Sequence, residues 1–256
     1  MLDGNNRGKT IGAVDTLFDI IEYLHQHDSA GVTEIAEAVD RSKSTVHGHL
    51  TTLERRQYVT KDEDEYRIGY RFLNIGGSVI SRDGLYRIAK PQLEELADET
   101  GESLQLGVEE HGVGYYIHQS RGQSAVRTDS MIGTKRYLHS TSFGKAILAH
   151  LPENRVKTII DTHGLPAMTE NTVTDPERLC AELETIRERG CSFDDSEQID
   201  GIRCVGVPIH MEDGTVQGAI SLSGPRKRIH GDRFESEIPN LLSDAARIIE
   251  INLSNS

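Results

Sequence analysis

Cysteine is scarce in this chain, and long apolar runs are absent. The three cysteines, Cys180, Cys191 and Cys204, are odd in number and show no CxxC spacing, which argues against a zinc knuckle and a disulfide framework. We therefore expect reduced thiols. No stretch reaches the roughly 18 apolar residues of a membrane helix, and the opening MLDGNNRGKT lacks the apolar segment of a signal peptide. These absences predict a soluble, cytoplasmic protein that contacts no membrane.

Positive charge is also in short supply. The formal net charge is -13, and residues 1–60 hold six Lys and Arg against nine Asp and Glu. Phosphate binding normally draws on Lys and Arg, so this balance weighs against a nucleic-acid partner. The six cations nevertheless lie in the N-terminal arm or within residues 41–56, apart from most of the acids. An acidic surface with little lysine suits very concentrated salt, so we hypothesise a halophilic cytoplasm, where DNA affinity depends mainly on base contacts, shape and dimerisation.

A length of 256 residues suggests two domains. Within the first, residues 33–58 predict two short helices joined by a tight turn, with Thr33 and Ser42 as candidate N-caps. Their apolar positions form two stripes at helical spacing, Ile35, Ala36 and Val39 in the first helix and Val46, Leu50 and Leu53 in the second. The stripes predict that the two helices pack against each other.

The outer face of the second helix carries mostly short polar side chains. They are Ser44, Thr45, His47, Gly48, Thr51, Thr52 and Arg55. In helix-turn-helix proteins the second helix enters the major groove, where its first residues reach base edges and neighbouring residues hold phosphates. The alternative for this segment alone is an ordinary helical hairpin with a solvated polar face.

The flanking segments favour the DNA-reading interpretation. A preceding helix is predicted from the apolar positions Ile11, Val14, Leu17, Phe18, Ile21 and Leu24. Two strand-like runs, residues 58–61 and 65–68, follow the second helix and surround the polar turn Asp62-Glu63-Asp64. Three helices and a hairpin predict a winged helix-turn-helix domain over residues 1–69. The acidic hairpin tip should lie away from phosphates or depend on salt screening.

From these patterns we predict the DNA partner and the residues that bind it. The partner would be a pseudo-palindromic double-stranded operator, bound by a homodimer or a tetramer, with the N-terminal arm in an adjacent minor groove. The expected DNA-binding residues are Arg7, Lys9, Thr10, Thr33, Ser42, Lys43, Ser44, Thr45, His47, Gly48, Thr52, Arg55, Tyr66 and Arg67.

The rest of the chain predicts a linker helix, residues 70–84, and an α+β domain over residues 85–256. Strand candidates span residues 103–108, 114–119, 125–129, 192–196, 204–210 and 216–222, and helix candidates span residues 85–99, 142–150, 153–161, 176–189 and 232–252. Hairpin turns at His111-Gly112 and Asp213-Gly214 predict antiparallel pairing, since parallel strands need longer crossovers. Asp175-Pro176 predicts a helix start, Gly190 a helix end, and Asp232 with Glu235 a capping box.

Four stretches together resemble the IclR family of transcription regulators over nearly the whole chain. They are SKSTVHGHLTTLERRQYV, GYRFLNIG, GTKRYLHSTSFGKAILAHL and DGIRCVGVPIHMEDGTVQGAISLSGPRKRI. The resemblance implies a winged-helix DNA-binding domain, a linker helix that helps dimerisation, and a GAF-like effector domain with an antiparallel sheet and helices. Family members repress or activate genes, often those of carbon catabolism, and the resemblance implies no cofactor.

The same resemblance implies which residues contact the effector. They are Ala125, Thr128, Ser142, Phe143, Asp194, Ile202, Cys204, Ser221 and Ser223. The amides that begin the helix at Ser142 would receive a carboxylate, and Ser221 and Ser223, alternating on a strand, would bind a keto or hydroxyl oxygen. This favours a sugar-derived acid or keto acid. Phe143 departs from the small residues common in the family, and its ring would shrink the pocket or displace the ligand.

Two other functions compete with a regulator. Ser221, His139 and Asp194 could form a catalytic triad, or Cys204 and His139 a thiol pair, but no G-x-S-x-G, P-loop or H-E-x-x-H motif supports an enzyme. We expect no catalytic residues and no metal site, although His111, His118, His139 and His210 are candidate ligands. The other alternative is a winged helix used for protein contacts, joined to a metabolite-sensing or weakly enzymatic domain.

Overall fold

The computed structural model describes residues 10–128 and 130–255. The chain divides into two compact units, Met1–Ile80 and Ser81–Ser256. Among the helices of the described residues, none has the length and apolar character needed to cross a bilayer.

The first unit is a winged helix-turn-helix, as predicted. Its elements are α1 (Gly12–Gln26), β1 (Ala30–Gly31), α2 (Val32–Ala38), α3 (Lys43–Arg55), β2 (Val59–Asp62) and β3 (Glu65–Ile68), and α4 (Arg71–Arg82) follows. The three strands pair antiparallel in the order β1-β3-β2. The hairpin β2–β3 is the wing, and its connecting residues belong to the acidic turn.

The core of the first unit confirms the predicted stripes of α2 and α3 but corrects the face of α1. Ile35, Val46 and Leu50 are completely buried, as expected. In α1, however, Ile20 and Leu24 enter the core. The predicted core positions Ile11, Val14 and Phe18 are instead exposed, by 68%, 42% and 56%. Both sides of α1 are apolar, so periodicity alone selects the wrong centre for its buried face.

Two of the predicted helix N-caps are confirmed, and two are wrong. Ser42 caps α3, because its Oγ accepts from the Thr45 amide at 3.2 Å. Thr33 is not a cap, since α2 already begins at Val32 and Gly31 precedes it. In the second unit Asp175 caps a helix, accepting from the Arg178 amide at 2.8 Å. Asp232 has helical dihedral angles and makes no capping bond, so the predicted capping box is wrong.

The second unit combines helices with one six-stranded sheet. Its elements are α5 (Gly84–Thr100), β4 (Ser103–Glu110), β5 (Val113–Arg121), β6 (Lys135–Arg136), a 3-10 turn (Leu138–Ser140), α6 (Ser142–Leu148), α7 (Glu153–His163), α8 (Pro176–Arg189), β7 (Ser192–Asp195), β8 (Ile202–His210), β9 (Val216–Pro225), a π-helical turn (Arg233–Glu237) and α9 (Ile238–Ser254). The strand order is β6-β5-β4-β9-β8-β7, and every pairing is antiparallel.

One predicted strand is absent, and one observed strand was not predicted. Residues 125–128 form no strand, and Asp129 lies outside the described residues. The edge strand is β6 instead, whose Arg136 pairs with Gly114. The predicted turn at His111-Gly112 is confirmed, with φ of 54° and 84° at the two residues.

The two faces of the sheet are packed differently. Leu104, Leu106, Ile220 and Leu222 belong to a core shared with α5 and α9. On the opposite face α6 lies directly against the strands, where small residues allow a close approach. A Cβ on Gly206 would lie 2.6 Å from the backbone of Ser142. The sheet therefore has one conventional apolar face and one face that carries α6.

We predict that Gly107→Ala destabilises the second unit by about 1 to 3 kcal/mol, the usual cost of overpacking. The added Cβ would lie 2.1 Å from Cδ2 of the buried Phe143 ring, which must shift. Chemical denaturation measures the free energy of unfolding. Gly84→Ala is the matched control, because nothing lies within 4 Å of its added Cβ, and alanine is the better helix former. Equal stabilities of the two variants would contradict the prediction.

Candidate functional site

The start of α3 concentrates hydroxyl groups on an exposed surface. The Ser42 Oγ lies 3.0 Å from the Ser44 Oγ and 2.8 Å from the Thr45 Oγ1. Lys43, Ser44 and Thr45 are all exposed. The N-cap bond fixes Ser42, and Ser42 in turn orients its two neighbours. The result is a compact group of hydrogen-bond donors and acceptors at the N-terminal end of the helix.

Further along, the same face remains open. His47, Gly48, Thr52 and Arg55 are exposed, and a Cβ built on Gly48 would meet nothing within 4 Å. The Thr52 hydroxyl donates to the Gly48 carbonyl at 2.9 Å, which leaves its oxygen lone pairs facing outward as acceptors. This face has the steric access that a groove-binding helix needs.

Other predicted DNA contacts fall on different parts of the first unit. Thr10 and Thr33 are exposed, the latter on α2, and Arg67 is exposed on β3. Arg7 and Lys9 lie outside the described residues. Tyr66 requires a correction: it is 2% exposed and packs in the core of this unit, so its side chain does not present a DNA-contacting surface.

Arg41, in the turn before α3, has a structural role that the sequence did not indicate. Its Nε donates to the Thr16 Oγ1 at 3.2 Å, and its Nη1 donates to the Asp40 carbonyl at 2.8 Å. The first bond ties the turn to α1, and the second holds the guanidinium against the turn itself. The guanidinium therefore helps to hold α3 in place.

A small cavity in the second unit gathers most of the predicted effector residues. Its volume is about 20 Å³, enough for about one water molecule. The lining residues are Tyr116, Thr128, Ser130, Thr141, Asp194, Gln198, Ile199, Ile202, Cys204 and Ser223. Five of the nine predicted residues are among them. A larger groove of about 500 Å³, between α7 and α8, contains none of the nine.

Strand register explains why distant residues meet at this cavity. Asp194 pairs with Cys204, Cys204 with Ser223, and Ser223 with Ser103 across four neighbouring strands. Directly paired residues point to the same face of a sheet. A polar row therefore crosses the face that carries α6.

The two serines of β9 have different positions relative to this cavity. Both donate to the Gln105 Oε1, Ser221 at 3.2 Å and Ser223 at 2.8 Å. Only Ser223 lines the cavity, while Ser221 is buried one row further along. Their hydroxyl protons are used by Gln105, so toward a ligand they offer mainly lone pairs.

The remaining predicted residues do not line the cavity. Ala125 is half-buried outside it, and the Ser142 carbonyl accepts from the Ser192 hydroxyl at 2.5 Å. Phe143 is completely buried, and its ring centroid lies 4.8 Å from that of Tyr116. The Phe143 ring does not line the cavity, and whether it shrinks the pocket or displaces the ligand stays a prediction. Phe143 lies behind Tyr116 and supports it.

The start of α6 is capped within the protein. The Thr141 Oγ1 accepts from the Gly144 amide at 3.2 Å, and α6 has only seven residues. A helix of this length has a small dipole, and the Gly144 amide is already used within the protein.

Asp194 is the most perturbed carboxyl of the cavity. Burial, followed by the neighbouring Glu197 carboxylate, raises the Asp194 pKa to about 7. Its Oδ1 accepts from the Glu197 amide at 2.7 Å. Burial also raises the pKa of the Cys204 thiol, and Asp194 raises it further. The Cys204 thiol therefore stays protonated at neutral pH, whereas Asp194 is near the midpoint of its titration.

A buried ammonium group stands beside this cavity. Lys145 on α6 is completely buried, and its Nζ lies 2.6 Å from the Glu182 Oε1 and 2.5 Å from the Glu197 Oε1. Burial would lower the Lys145 pKa, but the two carboxylates reverse this and raise it. The ammonium is thus paired twice, while Asp194 makes no salt bridge within the described residues.

Several of these residues could not be found from the sequence. Tyr116, Ser130, Gln198 and Ile199 line the cavity without belonging to any motif. Lys145 carries a weak signal, as a single cation in the apolar helix SFGKAIL. That signal could have indicated a buried ion pair, but it does not identify the partners.

The proposed catalytic and metal arrangements are not assembled. The His139 Nε2 lies 3.1 Å from the Pro166 carbonyl, and in the described part of the chain no hydrogen bond joins His139 to Ser221, Asp194 or Cys204. Among the described residues, no group of three His, Cys, Asp or Glu side chains is placed to hold a metal ion.

Comparison with known proteins agrees with this architecture. Residues 77–251 match the family model described as bacterial transcriptional regulator IclR C-terminal, and residues 13–63 match the IclR helix-turn-helix domain. A probable HTH-type transcriptional regulator ArcR of Halobacterium salinarum is 31% identical and covers 98% of this chain and 97% of its own length.

Solved structures give the same result. The Thermotoga maritima IclR crystal structure has a TM-score of 0.78 and 31% identity, and the match covers 96% of this chain and 100% of that one. An IclR homologue from Microbacterium hydrocarbonoxydans, complexed with 4-hydroxybenzoate, has a TM-score of 0.81 at 22% identity, with 95% and 100% covered. The named relatives are transcription regulators rather than enzymes.

Proposed function

The chain belongs to the IclR family of transcription regulators, and from this premise we propose how it acts. It binds a pseudo-palindromic operator as a homodimer in the cytoplasm, and a small metabolite in the cavity around Asp194 changes that binding. The ligand is a sugar-derived acid or a keto acid, and the protein acts as a repressor, an activator or both. The observation that carries this proposal is the open, hydroxyl-rich face of α3 on a winged unit.

The DNA contacts follow from the accessibility of α3. Ser44, Thr45 and His47 reach base edges, since they are exposed in the first turns of the helix. Lys43 and Arg55 contact phosphates, and the arm with Arg7 and Lys9 enters the adjacent minor groove. Charge contributes little in very concentrated salt, where counterion release adds little to the affinity. Binding should therefore be measured in concentrated potassium chloride, and full folding and activity without added salt would contradict a halophilic origin.

We predict that Lys43→Ala with His47→Ala weakens operator binding roughly tenfold or more, since losing one good base or phosphate contact costs about 1 to 3 kcal/mol. The operator would first be selected from a random DNA library, and affinity measured by electrophoretic shift. Lys157→Ala with His230→Ala is the control, because it removes the same residue types from exposed positions of the second unit. Unchanged binding by the α3 variant would favour the protein-contact alternative.

The proposed dimer is supported by apolar surface that the core leaves exposed. Phe18 on α1 is 56% exposed, and Leu73 and Val79 on α4 are 70% and 66% exposed. Exposed apolar side chains of this size can be buried at an interface with a second chain. A second copy of the chain would cover them and place two α3 helices on one operator.

We predict that Phe18→Glu with Leu73→Glu shifts the protein toward monomer, because the carboxylates would have to be buried without partners. Sedimentation equilibrium measures the mass. The control Met168→Glu introduces the same charge at another exposed apolar position, in the second unit, and should leave the mass unchanged. A variant that keeps the wild-type assembly would contradict this interface.

The effector proposal is supported by the polar row at the cavity and by the ligand complex of the Microbacterium homologue. A ligand larger than water needs more than the 20 Å³ described, so lining side chains must move when it enters. Binding can shift the DNA affinity only by the difference in ligand affinity between the two conformations.

We predict that Ser221→Leu with Ser223→Leu abolishes the response to effectors and leaves operator binding intact. The leucines fill the polar row and remove both bonds to Gln105. Operator shifts with and without pyruvate, gluconate and 4-hydroxybenzoate measure the response, and Ser223→Ala, which adds no volume, is the control. A double variant that still responds would contradict the assignment. Loss of DNA binding and response together would indicate misfolding, which circular dichroism would reveal.

A further inference from the structure

The lining of the effector cavity is unusual in its charge. Among its described residues there is one acid, Asp194, and no Lys, Arg or His. A carboxylate ligand usually meets a cation or a set of free amides. At the start of α6 the Gly144 amide is used by Thr141, and the titratable acid that lines the cavity is the buried carboxyl group of Asp194.

The charged groups around Asp194 do not supply the cation that the cavity lining lacks. Lys145 on α6 approaches it, but that ammonium is already held by Glu182 and Glu197. Glu197, in the loop after β7, adds negative charge, and its Oε2 is buried with no hydrogen-bond partner among the described residues. Two carboxylates and one ammonium leave a net negative neighbourhood before Asp194 is counted.

Hydrogen bonds from the Glu197 amide and from Cys204 favour the ionised form of Asp194, but burial and the Glu197 carboxylate outweigh them and its pKa is still raised. Cys204 on β8 shares a hydrogen bond with the Asp194 carboxyl, and its thiol resists ionisation. Tyr116 on β5 likewise has its pKa raised, mainly by burial, and Arg136 acts on Tyr116 without lining the cavity. An ionised Asp194 would therefore be a buried charge without a counter-ion, which is costly.

We propose that Asp194 is a neutral hydrogen-bond donor in the effector cavity, so that a carboxylate effector is bound together with one proton. This inference rests on the proposed function of the cavity. The Oδ1 accepts from the Glu197 amide at 2.7 Å and from the Gln198 amide at 3.4 Å, so the acidic proton belongs on Oδ2. The carboxylate oxygen of the ligand accepts that proton in a hydrogen bond, and no cation is needed.

The pH dependence follows with a definite sign. With the Asp194 pKa near 7, most molecules hold the proton at pH 6 and few hold it at pH 8. Because only the protonated form of Asp194 donates a hydrogen bond to the ligand carboxylate, affinity for a carboxylate is about tenfold weaker at pH 8 than at pH 6. Pyruvate, the probe, is an anion at both values, so its own titration contributes nothing.

The test is titration calorimetry of the full chain with pyruvate at pH 6 and pH 8. Wild type should lose about tenfold in affinity between them. Asp194→Asn should bind with little pH dependence, because its amide both accepts from Glu197 and donates to the ligand. Asp195→Asn is the matched control: the neighbouring Asp195 pairs with Arg203, which lowers its pKa, so this variant should keep the wild-type pH dependence. An affinity that does not fall with pH, or loss of binding in Asp194→Asn when it is folded, would overturn the proposal.

A second measurement does not depend on a ligand or on the variant. Carbon-13 NMR of the aspartate carboxyl groups in wild type should show one resonance with a midpoint near pH 7, and a set that titrates entirely below pH 6 would overturn the proposal. If pyruvate binds nothing while an uncharged compound changes operator binding, carboxylate docking fails and the proposed regulator stands. If the NMR midpoint and the pyruvate result hold but no compound changes operator binding, the regulatory function fails instead.

Discussion

The ion pairs of Lys145 are the interaction on which the second unit depends. One completely buried ammonium joins α6, α8 and the loop after β7, through carboxylates at 2.6 and 2.5 Å. Removing one partner of such a buried group costs about 3 to 5 kcal/mol, because a charge remains without compensation. The same loop supplies the amide that binds Asp194. The ammonium thus fixes the wall of the cavity while leaving the cavity itself without a cation.

Both candidate binding surfaces work with little positive charge. At the start of α3 the Ser42 hydroxyl lies 3.0 Å from that of Ser44 and 2.8 Å from that of Thr45. In the cavity the polar side-chain groups are hydroxyls, a carboxamide, a thiol and a carboxyl. Hydrogen bonds between neutral groups depend on geometry and are weakly screened by salt, whereas ion pairs at a surface lose strength as salt rises. In a chain with a net charge of -13, binding by fixed neutral groups is a consistent solution.

The sequence predicted what periodicity and local chemistry determine. The α8 bounds, the Ser42 and Asp175 caps and the antiparallel sheet were all recovered. Errors arose where the deciding partner is distant in the chain. The segment 125–128 has strand-like residues, yet β6 takes the sheet edge next to β5. The position of Tyr66 in the strand pattern is that of a surface residue of a wing. However, β3 pairs with a strand on each side, and the Tyr66 ring is buried.

In the cavity, too, the deciding partners are distant in the chain. Family resemblance brought Asp194, Cys204 and Ser223 to one place, and strand register explains why they meet. Nothing in the one-dimensional pattern indicates that Lys145 is already occupied, because Glu182 and Glu197 follow it by 37 and 52 positions. Yet that pairing decides whether Asp194 has a counter-ion. The charge state of Asp194 thus depends on residues that do not line the cavity, and a list of lining residues alone would miss them.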